Sequence, residues 1–452
     1  MTAIDPPASV RAVMERLWQH GHAAYVVGGS VRDALLDRAA DDWDLATDAR
    51  PDRVLAIFPG AVYENQFGTV AIREGDDVHE VTTFRTDHDY ADFRRPHRVE
   101  FGDDVHLDLA RRDFTVNAIA WGADAQDVGR PAGLVDPFDG VTDVARRLIR
   151  AVGEPAARFR EDALRMLRAV RLAAVLDFEI EPATLEAVGA HAKLVAHVSG
   201  ERVAAELGKV LAAPRPSVGL RLMSDTGLLD VLLPDIAAQR GVPQNKIDGE
   251  DLFDHTLRTV DAAPAGEPVV RLAALLHDIG KPATIDDGPF RGHELVGADL
   301  ARALLDRLHL PKAATERVVH LVRSHMFTYE PGWGDAGVRR FIQRVGTDAI
   351  DELFALREAD NAGSGVPTEA HGLDELKARV AAELEASAVL DLSRLAVNGD
   401  DLMTELGIPQ GPHLGKMLDE LLELVVADPK RNDRATLLLL AESMLADHVL
   451  DR

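Results

Sequence analysis

The chain has 452 residues, 46% of them hydrophobic and 28% charged, which suffices for about three domains with real cores and excludes disorder as the main state. There is no cysteine, so disulfides and thiolate metal sites are excluded, and any metal must be held by His, Asp or Glu. A formal net charge of −26 argues against wholesale binding of nucleic acid, because backbone affinity comes from neutralising phosphates.

No apolar run approaches the roughly 18 residues of a membrane span. The opening MTAIDPPASVRAVM has neither a basic start nor an apolar segment, so a soluble, cytoplasmic protein without membrane contact is expected. An amphipathic helix is predicted from Val10 to Trp18, then an apolar strand in AYVVGG, a helix in SVRDALLD and a strand in WDLAT. GTVAI and VHEVTTF, joined by the turn-rich EGDD, predict a hairpin. A polar loop is expected from Asp87 to Asp104, before RRDFTVNAIAW. From about Val141 the pattern is helical, interrupted by turn clusters such as GVPQNKIDGE and NAGSGVP. The expected fold class is α+β, with a mixed α/β head (1–140), a helical neck (141–215), a helical body (216–390) and a helical tail (391–452).

Gly28 and Gly29 end an apolar strand and Ser30 opens a helix. Such a junction lets backbone approach a ligand, and the helix N-terminus offers N–H groups to an anion; an ordinary strand-to-helix turn has the same look. Arg32 adds positive charge there. Asp42 and Asp44 lie two apart in DWDLAT, and strand alternation places both on one face. Carboxylates so placed suit hard cations such as Mg²⁺, the alternative being a solvated acidic turn. Glu80 on a second strand is either a third carboxylate or an exposed strand residue.

GGSVRDALL followed about a dozen residues later by DWDLAT resembles the head of the tRNA nucleotidyltransferase and poly(A) polymerase family, a branch of the polymerase-β-type nucleotidyltransferases. RRDFTVNAIAW (from Arg111) and LVDPFDGVTDVARRLIR are similar to that family's second and third motifs. The resemblance implies template-independent addition of nucleotides from CTP and ATP to tRNA. It also implies two Mg²⁺ ions on Asp42 and Asp44, and nucleotide binding by Gly28, Gly29, Ser30, Arg32, Arg111, Arg112, Asp113 and Asn117.

REDALRMLRAVRLAA, from Arg160, is rich in helix formers and has no breaker, so one continuous helix is predicted. Glu161 and Asp162 then each share a face with Arg165, as surface salt bridges commonly do. A sharper reading starts from the bases. Cytosine and adenine pair an amino donor with a ring-nitrogen acceptor, whereas uracil and guanine present the inverse. A carboxylate beside a guanidinium therefore accepts C and A and rejects U and G. Asp162 and Arg165 match the family's E-D-x-x-R motif, which implies this template role, and Arg168 and Arg171 would help bind the nucleotide. Eight arginines stand against three acidic residues from Arg146 to Arg171, a local phosphate-binding surface on an acidic chain.

Two features bear on what is added. The stretch before EVTTFR lacks the basic G-R-R-F-like segment of the family's bacterial poly(A) polymerases. ADFRRPHRVEF carries Asp92, Arg94, Arg95 and Pro96 in the pattern of the family's flexible loop. The first favours CCA addition over poly(A) synthesis; the second, by family resemblance, supports either CCA-adding or A-adding activity, so an A-adding enzyme or poly(A) polymerase stays as the alternative.

Farther on, His255, the pair His277–Asp278 after an apolar helix, and Asp360 follow the order of the HD phosphohydrolase superfamily. Imidazoles and carboxylates in this order suit a divalent transition metal that activates water, and His293 and His325 extend the set toward a second metal. Lys281 is placed to hold a substrate phosphate. The alternatives are structural histidines in an inert scaffold, or a protein that is chiefly an HD hydrolase. The tail resembles the segment of bacterial relatives that grips the tRNA body.

Overall fold

The computed structural model describes residues 4–40, 42–64, 67–90, 96–124, 132–244, 246–287, 290–386 and 392–450. It divides into two compact units, the first comprising 1–238 with 306–310 and the second 239–305 with 311–452.

In the first unit the elements are α1 (Ala8–Gln19), β1 (Ala24–Val27), α2 (Gly29–Leu35), β2 (Leu45–Thr47), α3 (Pro51–Ile57), β3 (Val62–Tyr63), β4 (Thr69–Glu74), β5 (Asp77–Thr83), β6 (Arg85–Tyr90) and β7 (Pro96–Phe101). They continue with α4 (Val105–Ala110), β8 (Ala120–Ala123), β9 (Gly133–Val135), α5 (Gly140–Arg146), β10 (Leu148–Ile149), α6 (Pro155–Glu161) and α7 (Leu164–Leu176). The unit ends with β11 (Glu179–Ile180), α8 (Pro182–His191), α9 (Gly200–Leu211), α10 (Pro216–Asp225), α11 (Leu228–Leu232) and α12 (Pro234–Ala237).

Seven strands form one sheet in the order β3-β4-β5-β2-β1-β8-β9. Among the described residues, only β2 and β5 pair in parallel in it. The alternation of buried and exposed residues in β5 is that of a sheet covered on one face. Tyr25, Val27, Ala46, Phe84, Leu109 and Ala120 belong to one core cluster. Helix α1 buries Val10, Val13, Met14 and Leu17, the i, i+3, i+4, i+7 stripe of an amphipathic helix. The predicted hairpin forms: Glu74 pairs Asp77 across Gly75 and Asp76.

Two expectations are overturned. Asp87–Asp104 is not a loop throughout, because β6 and β7 pair from Arg85↔Phe101 to Tyr90↔Pro96. Its mostly polar residues hide the alternation by which a strand is read, while the backbone still forms the ladder. Asp92, Arg94 and Arg95 lie outside the described residues, and of Pro96 only the backbone is described. The second concerns the continuous helix predicted from Arg160. It is broken, since α6 ends at Glu161 and Asp162 is extended (φ −141°, ψ 106°) before α7 begins.

The second unit is helical apart from turns and an isolated bridge, among the described residues. Its elements are α13 (Leu252–Ala262), α14 (Pro268–Leu276), α15 (His293–Arg307, its last residues in the first unit), α16 (Lys312–Ser324), α17 (Asp335–Val345) and α18 (Ile350–Gly363). They are followed by α19 (Leu373–Glu385), α20 (Gly399–Leu406), α21 (Pro412–Ala427) and α22 (Arg434–Leu450). Leu402, Leu414, Leu421, Val425 and Leu437 give the C-terminal helices their own core. No helix among the described residues is long and apolar enough to cross a membrane.

Candidate functional site

In the first unit, β1 delivers the chain to Gly28, whose φ of 79° is left-handed. That conformation favours glycine, and Arg112 Nη1 approaches to 2.9 Å of where a Cβ would stand. From α2, Arg32 donates Nη1 to Asn117 Oδ1 (2.6 Å), and its Nε and Nη2 to the two carboxylate oxygens of Asp33 (3.0 and 2.9 Å). A guanidinium held at both ends is preorganised and loses little freedom when it meets an anion.

Asp42 and Asp44 are both exposed, but they precede β2 instead of lying within it. The Trp43 indole N–H donates to Ala40 O (3.1 Å), while Val27 N donates to Asp44 O (3.0 Å) and ties Asp44 to the end of β1. The parallel register Leu45↔Val81 sets Glu80 beside Asp44. Desolvation first, then the Asp42 charge, raises the Asp44 carboxyl above its ordinary value against the pull of Arg112. Glu80 is raised by desolvation and by Glu64, Asp44 and Asp42. The three carboxylates thus share one field without converging as a three-ligand cluster.

Opposite them stands an arginine wall. Arg111 donates Nε and Nη2 to Asp108 Oδ1 (3.0 and 2.8 Å) and Arg112 donates to Oδ2 (3.4 Å). Burial works to raise Asp108, yet the two guanidinium groups hold it below its ordinary value. Arg168 grips Asp113 through Nε (2.7 Å) and Nη2 (2.6 Å). Burial opposes ionisation of Asp113 as well, but Arg168, Arg165 and hydrogen bonds from Arg168 and Asn117 push it down to about 2. Arg171 Nε lies 3.0 Å from Glu206 Oε2.

The Asp162–Arg165 pair differs from expectation. Asp162 caps α7, its Oδ1 accepting from Leu164 N (3.1 Å), as Asp does at helix starts. Its Oδ2 accepts from Arg202 Nη2 (2.7 Å). Arg165 instead donates Nη1 to Glu161 Oε2 (2.6 Å) and Nη2 to Arg111 O (2.9 Å). Each oxygen of Asp162 accepts one of these bonds and retains a lone pair, and Arg165 keeps further N–H groups. The two are therefore braced from outside, not against each other. Both face a cleft of about 700 Å³ that also takes in Gly28–Ser30, Asp42, Asp44, Arg111–Asp113, Arg168 and Arg171; Glu80 is not part of its lining.

The second unit holds a buried cluster. His255 comes from α13, His277 and Asp278 from the end of α14, His293 from the start of α15, His325 from just after α16 and Asp360 from α18. Close helix contacts set the spacing. A Cβ at Gly363 would stand 2.1 Å from Thr259 Oγ1, and one at Gly280 would stand 2.2 Å from His293 O. These contacts draw α18 onto α13 and the end of α14 onto α15.

His255 Nε2 and His277 Nε2 are 3.1 Å apart, and Asp360 Oδ1 lies 3.3 Å from His255 Nε2. Asp278 turns Oδ2 to this trio, 3.4 Å from His255 Nε2 and 3.1 Å from His277 Nε2. Its Oδ1 faces His293 (3.2 Å) and His325 (3.7 Å). The donor atoms thus fall into two groups, each compact enough to hold a metal ion.

The tautomers fit that purpose. His277, His293 and His325 place Nδ1 at 2.8, 2.7 and 2.7 Å from the carbonyls of Ala274, Phe290 and Val322. A carbonyl only accepts, so each Nδ1 carries the proton and each Nε2 presents a lone pair. His293 and His325 then point lone pairs at each other across 3.2 Å, an arrangement that a cation between them relieves. Burial lowers His277 despite Asp278 beside it, which favours the neutral, ligating ring.

Several residues escaped the sequence reading. Asp108 was accessible to it, lying three and four residues before Arg111 and Arg112. Arg202 and Glu206 sit on α9, far along the chain from their partners. Gln244 Nε2, 3.4 Å from Asp278 Oδ2, and Lys246 Nζ, 3.5 Å from Asp360 Oδ1, lie in a segment that reads only as a turn.

Residues 24–150 match the poly A polymerase head domain, residues 177–240 the probable RNA and SrmB-binding site of polymerase A, and residues 252–362 the HD domain. The CCA-adding enzyme of Geobacillus thermodenitrificans is 37% identical over 426 residues, covering 93% of each chain. That of Streptococcus suis is 32% identical over 434 residues, covering 96% of each. The crystal structure of the Bacillus stearothermophilus CCA-adding enzyme in complex with CTP matches 99% of this chain and 100% of that chain, at 29% identity and a TM-score of 0.72. With likeness of this degree along nearly the whole length, the chain belongs to the family of bacterial CCA-adding enzymes.

Proposed function

We infer that this protein adds C, C and A to the 3′ end of tRNA from CTP and ATP, without a nucleic-acid template. The observation that carries the reading is the cleft itself, where a carboxylate pair, an arginine wall and the Asp162/Arg165 pair meet. It occurs in a chain whose relatives are CCA-adding enzymes.

In this reading Asp42 and Asp44 hold two Mg²⁺ ions, and Glu80 adds negative charge at that edge. When bound, such ions lower the pKa of the primer 3′-hydroxyl and carry triphosphate charge. The hydroxyl oxygen bonds to the α-phosphorus as the bond to pyrophosphate breaks. Gly28, Gly29 and Ser30 let backbone approach the phosphates; Arg32, Arg111 and Arg112 neutralise them, and their carboxylate partners fix their direction. Asp162 and Arg165 read the base edge, with Arg168 and Arg171 alongside. Asp113 and Asn117 act through Arg168 and Arg32, which they orient. The tail grips the tRNA body, as the family resemblance implies.

A second site is supported by the paired donor groups of the body. His255, His277, Asp278 and Asp360, with His293 and His325, would hold divalent metal and hydrolyse phosphoesters. Bound metal there would supply an activated water, the backbone carbonyls would fix the imidazole tautomers, and Lys281 would hold the substrate phosphate.

The test is a 3′-end assay on tRNAs ending before CCA, after CC and after CCA, given CTP, ATP or both, with products sequenced. Completion of CCA followed by a stop is expected. Use of ATP alone on CC ends would make this an A-adding enzyme, and long A tails a poly(A) polymerase. Exchanging the base-reading charges, with Asp162→Arg and Arg165→Asp, should weaken CTP and ATP use relative to UTP and GTP.

A further inference from the structure

The second unit holds a cavity of about 400 Å³ beside the buried histidine–aspartate cluster. Its walls come from the segment 326–331 that follows α16, from Arg357 on α18 and from the turn 370–373 that leads into α19. None of the six cluster side chains is among its described lining residues. The volume lies at the small end of the roughly 300–1,000 Å³ of ligand pockets, room for one nucleoside-sized molecule.

The walls are flat and held from behind. Phe327 and Tyr329 are buried. The Arg357 guanidinium lies 4.4 Å from the centre of the Phe327 ring, within cation–π range. Its Nη2 donates to the carbonyls of His325 (2.7 Å) and Phe327 (2.6 Å), so its plane is fixed. The Tyr329 hydroxyl donates to Glu375 Oε1 (2.8 Å) and accepts from Arg379 Nη1 (3.2 Å), which sets the plane of that ring. Across from it, His371 (φ 64°) and Gly372 (φ 73°) are both left-handed, and a Cβ at Gly372 would stand 3.0 Å from Tyr329 Cδ1. Left-handed backbone at a histidine is uncommon and persists where the surroundings impose it. Met326 and His371 are exposed at the lip, the former with an adaptable thioether.

Aromatic rings and guanidinium planes are the surfaces on which nucleobases stack. Position narrows the choice of ligand further. Phe327 follows the cluster's His325 by two residues, and Arg357 Nη1 lies 3.8 Å from Asp360 Oδ2. One side chain therefore touches both the cavity and the cluster. An isolated phosphate would meet aromatic walls here, and an alkyl chain would gain nothing from the guanidinium. A nucleoside phosphate uses both places, with its base in the cavity and its ester at the cluster, where Lys281 and Lys246 stand beside Asp278 and Asp360.

Resting on the reading of that cluster as a phosphohydrolase site, we propose that the cavity is its base subsite. It stacks the nucleobase of a nucleoside phosphate whose ester is hydrolysed at the cluster. The water oxygen bonds to phosphorus as the bond to the ribose oxygen breaks, and a water proton passes to that departing oxygen. Phe327, Tyr329 and Met326 supply the contact surface, and Arg357 is a positioning residue that ties this surface to the cluster. The preferred ester is thus one on a nucleoside, not on a bare sugar.

The experiment starts without metal. The full chain, in an Asp162→Ala, Arg165→Ala background that disables base reading in the head, is titrated with 2-aminopurine riboside, whose fluorescence is quenched on stacking. Saturable quenching is expected. Ala370→Leu, which fills the cavity, should weaken it at least about tenfold. Met326→Ala, at an exposed position where folding is not at stake, should weaken it about threefold. With Mn²⁺ added, hydrolysis of the 2′, 3′ and 5′ adenosine monophosphates is compared with that of the matching ribose phosphates. In Ala370→Leu the KM for the nucleotide, relative to that for the sugar phosphate, should rise about tenfold while kcat for the nucleotide falls less than twofold.

Absent quenching, or quenching that neither variant alters, would overturn the subsite. A KM that rises equally for nucleotide and sugar phosphate would overturn it too, by placing the damage in the cluster as a whole. If no ester were hydrolysed while quenching stayed sensitive to Ala370→Leu, the phosphohydrolase reading would fall and the nucleoside site would stand.

Discussion

The head cleft and the body cluster solve opposite electrostatic problems. In the head, cations are braced one by one: Asp33 and Asn117 hold Arg32, Asp108 holds Arg111 and Arg112, and Asp113 holds Arg168. On the proposed function, such a wall would meet the triphosphate already aimed. In the body, lone pairs confront one another where His293 and His325 bring their Nε2 atoms to 3.2 Å. On the proposed function, the first arrangement would receive a large anion and the second a small cation. Damage to one should therefore leave the other intact, and their responses to charge-removing variants should differ in kind.

The largest effect is expected from Asp44→Asn. Removing charge where hard cations are held should cut nucleotide addition by about a thousandfold or more, measured as CMP incorporation into tRNA. Mn²⁺ binding by the body and the thermal melting profile should stay unchanged. A parallel loss of body metal would dissolve the contrast between the sites.

Next comes the brace on the base-reading carboxylate. Arg202→Ala leaves Asp162 with only its cap to Leu164 N. Loss of a charge-assisted hydrogen bond of this kind amounts to about 1.5–3 kcal/mol, which is about a 10- to 150-fold drop in kcat/KM for CTP. A loss confined to CTP and ATP, narrowing their margin over UTP, would mark orientation of Asp162; an equal loss for all four nucleotides would mark general damage to the neck.

How much of these sites was legible in the sequence depends on how far apart their partners lie. Asp42 and Asp44, the His277–Asp278 pair and the arginines of RRDFTVNAIAW are local patterns; the first and last line one cleft and the pair joins the buried donor groups of the body. Arg202 reaches Asp162 across 40 positions, and no local periodicity carries that information. The break at Asp162 was hidden for another reason. REDALRMLRAVRLAA contains no glycine or proline, so propensity favours one helix, but the Asp162 side chain competes by capping the next one. The β6–β7 pairing was illegible because its residues lack apolar alternation.

Asp113→Asn tests the head brace through stability. The Asp113 carboxyl is fully enclosed and sits at about 2, below its ordinary 3.8. A carboxylate depressed on folding contributes stability that is fully present above its unfolded value and is lost as pH falls through the folded one. The shift corresponds to about 2 kcal/mol, so at pH 7 the variant should be less stable by about that amount in urea unfolding. The gap should begin to close below about pH 4 and be largely gone near pH 2. A gap that persists at acid pH would assign the loss to packing instead of to the ion pair with Arg168.

The smallest expected effect separates two readings of Glu80. As a third carboxylate its role is to add negative charge at the edge held by Asp44, whose neighbour it is through the Leu45↔Val81 register. Its carboxyl is raised by desolvation and by the charges of Glu64, Asp44 and Asp42, so the group already feels the site although it stands outside the cleft lining. Glu80→Gln keeps the shape and the β5 pairing while removing the charge. A Coulombic contribution at that range, largely screened by water, is about 1 kcal/mol. The variant should therefore slow addition about five- to tenfold and raise the Mg²⁺ concentration needed for half-maximal rate, with KM for CTP nearly unchanged. An unaltered Mg²⁺ dependence would make Glu80 an ordinary solvent-facing strand residue and leave the head with two acting carboxylates.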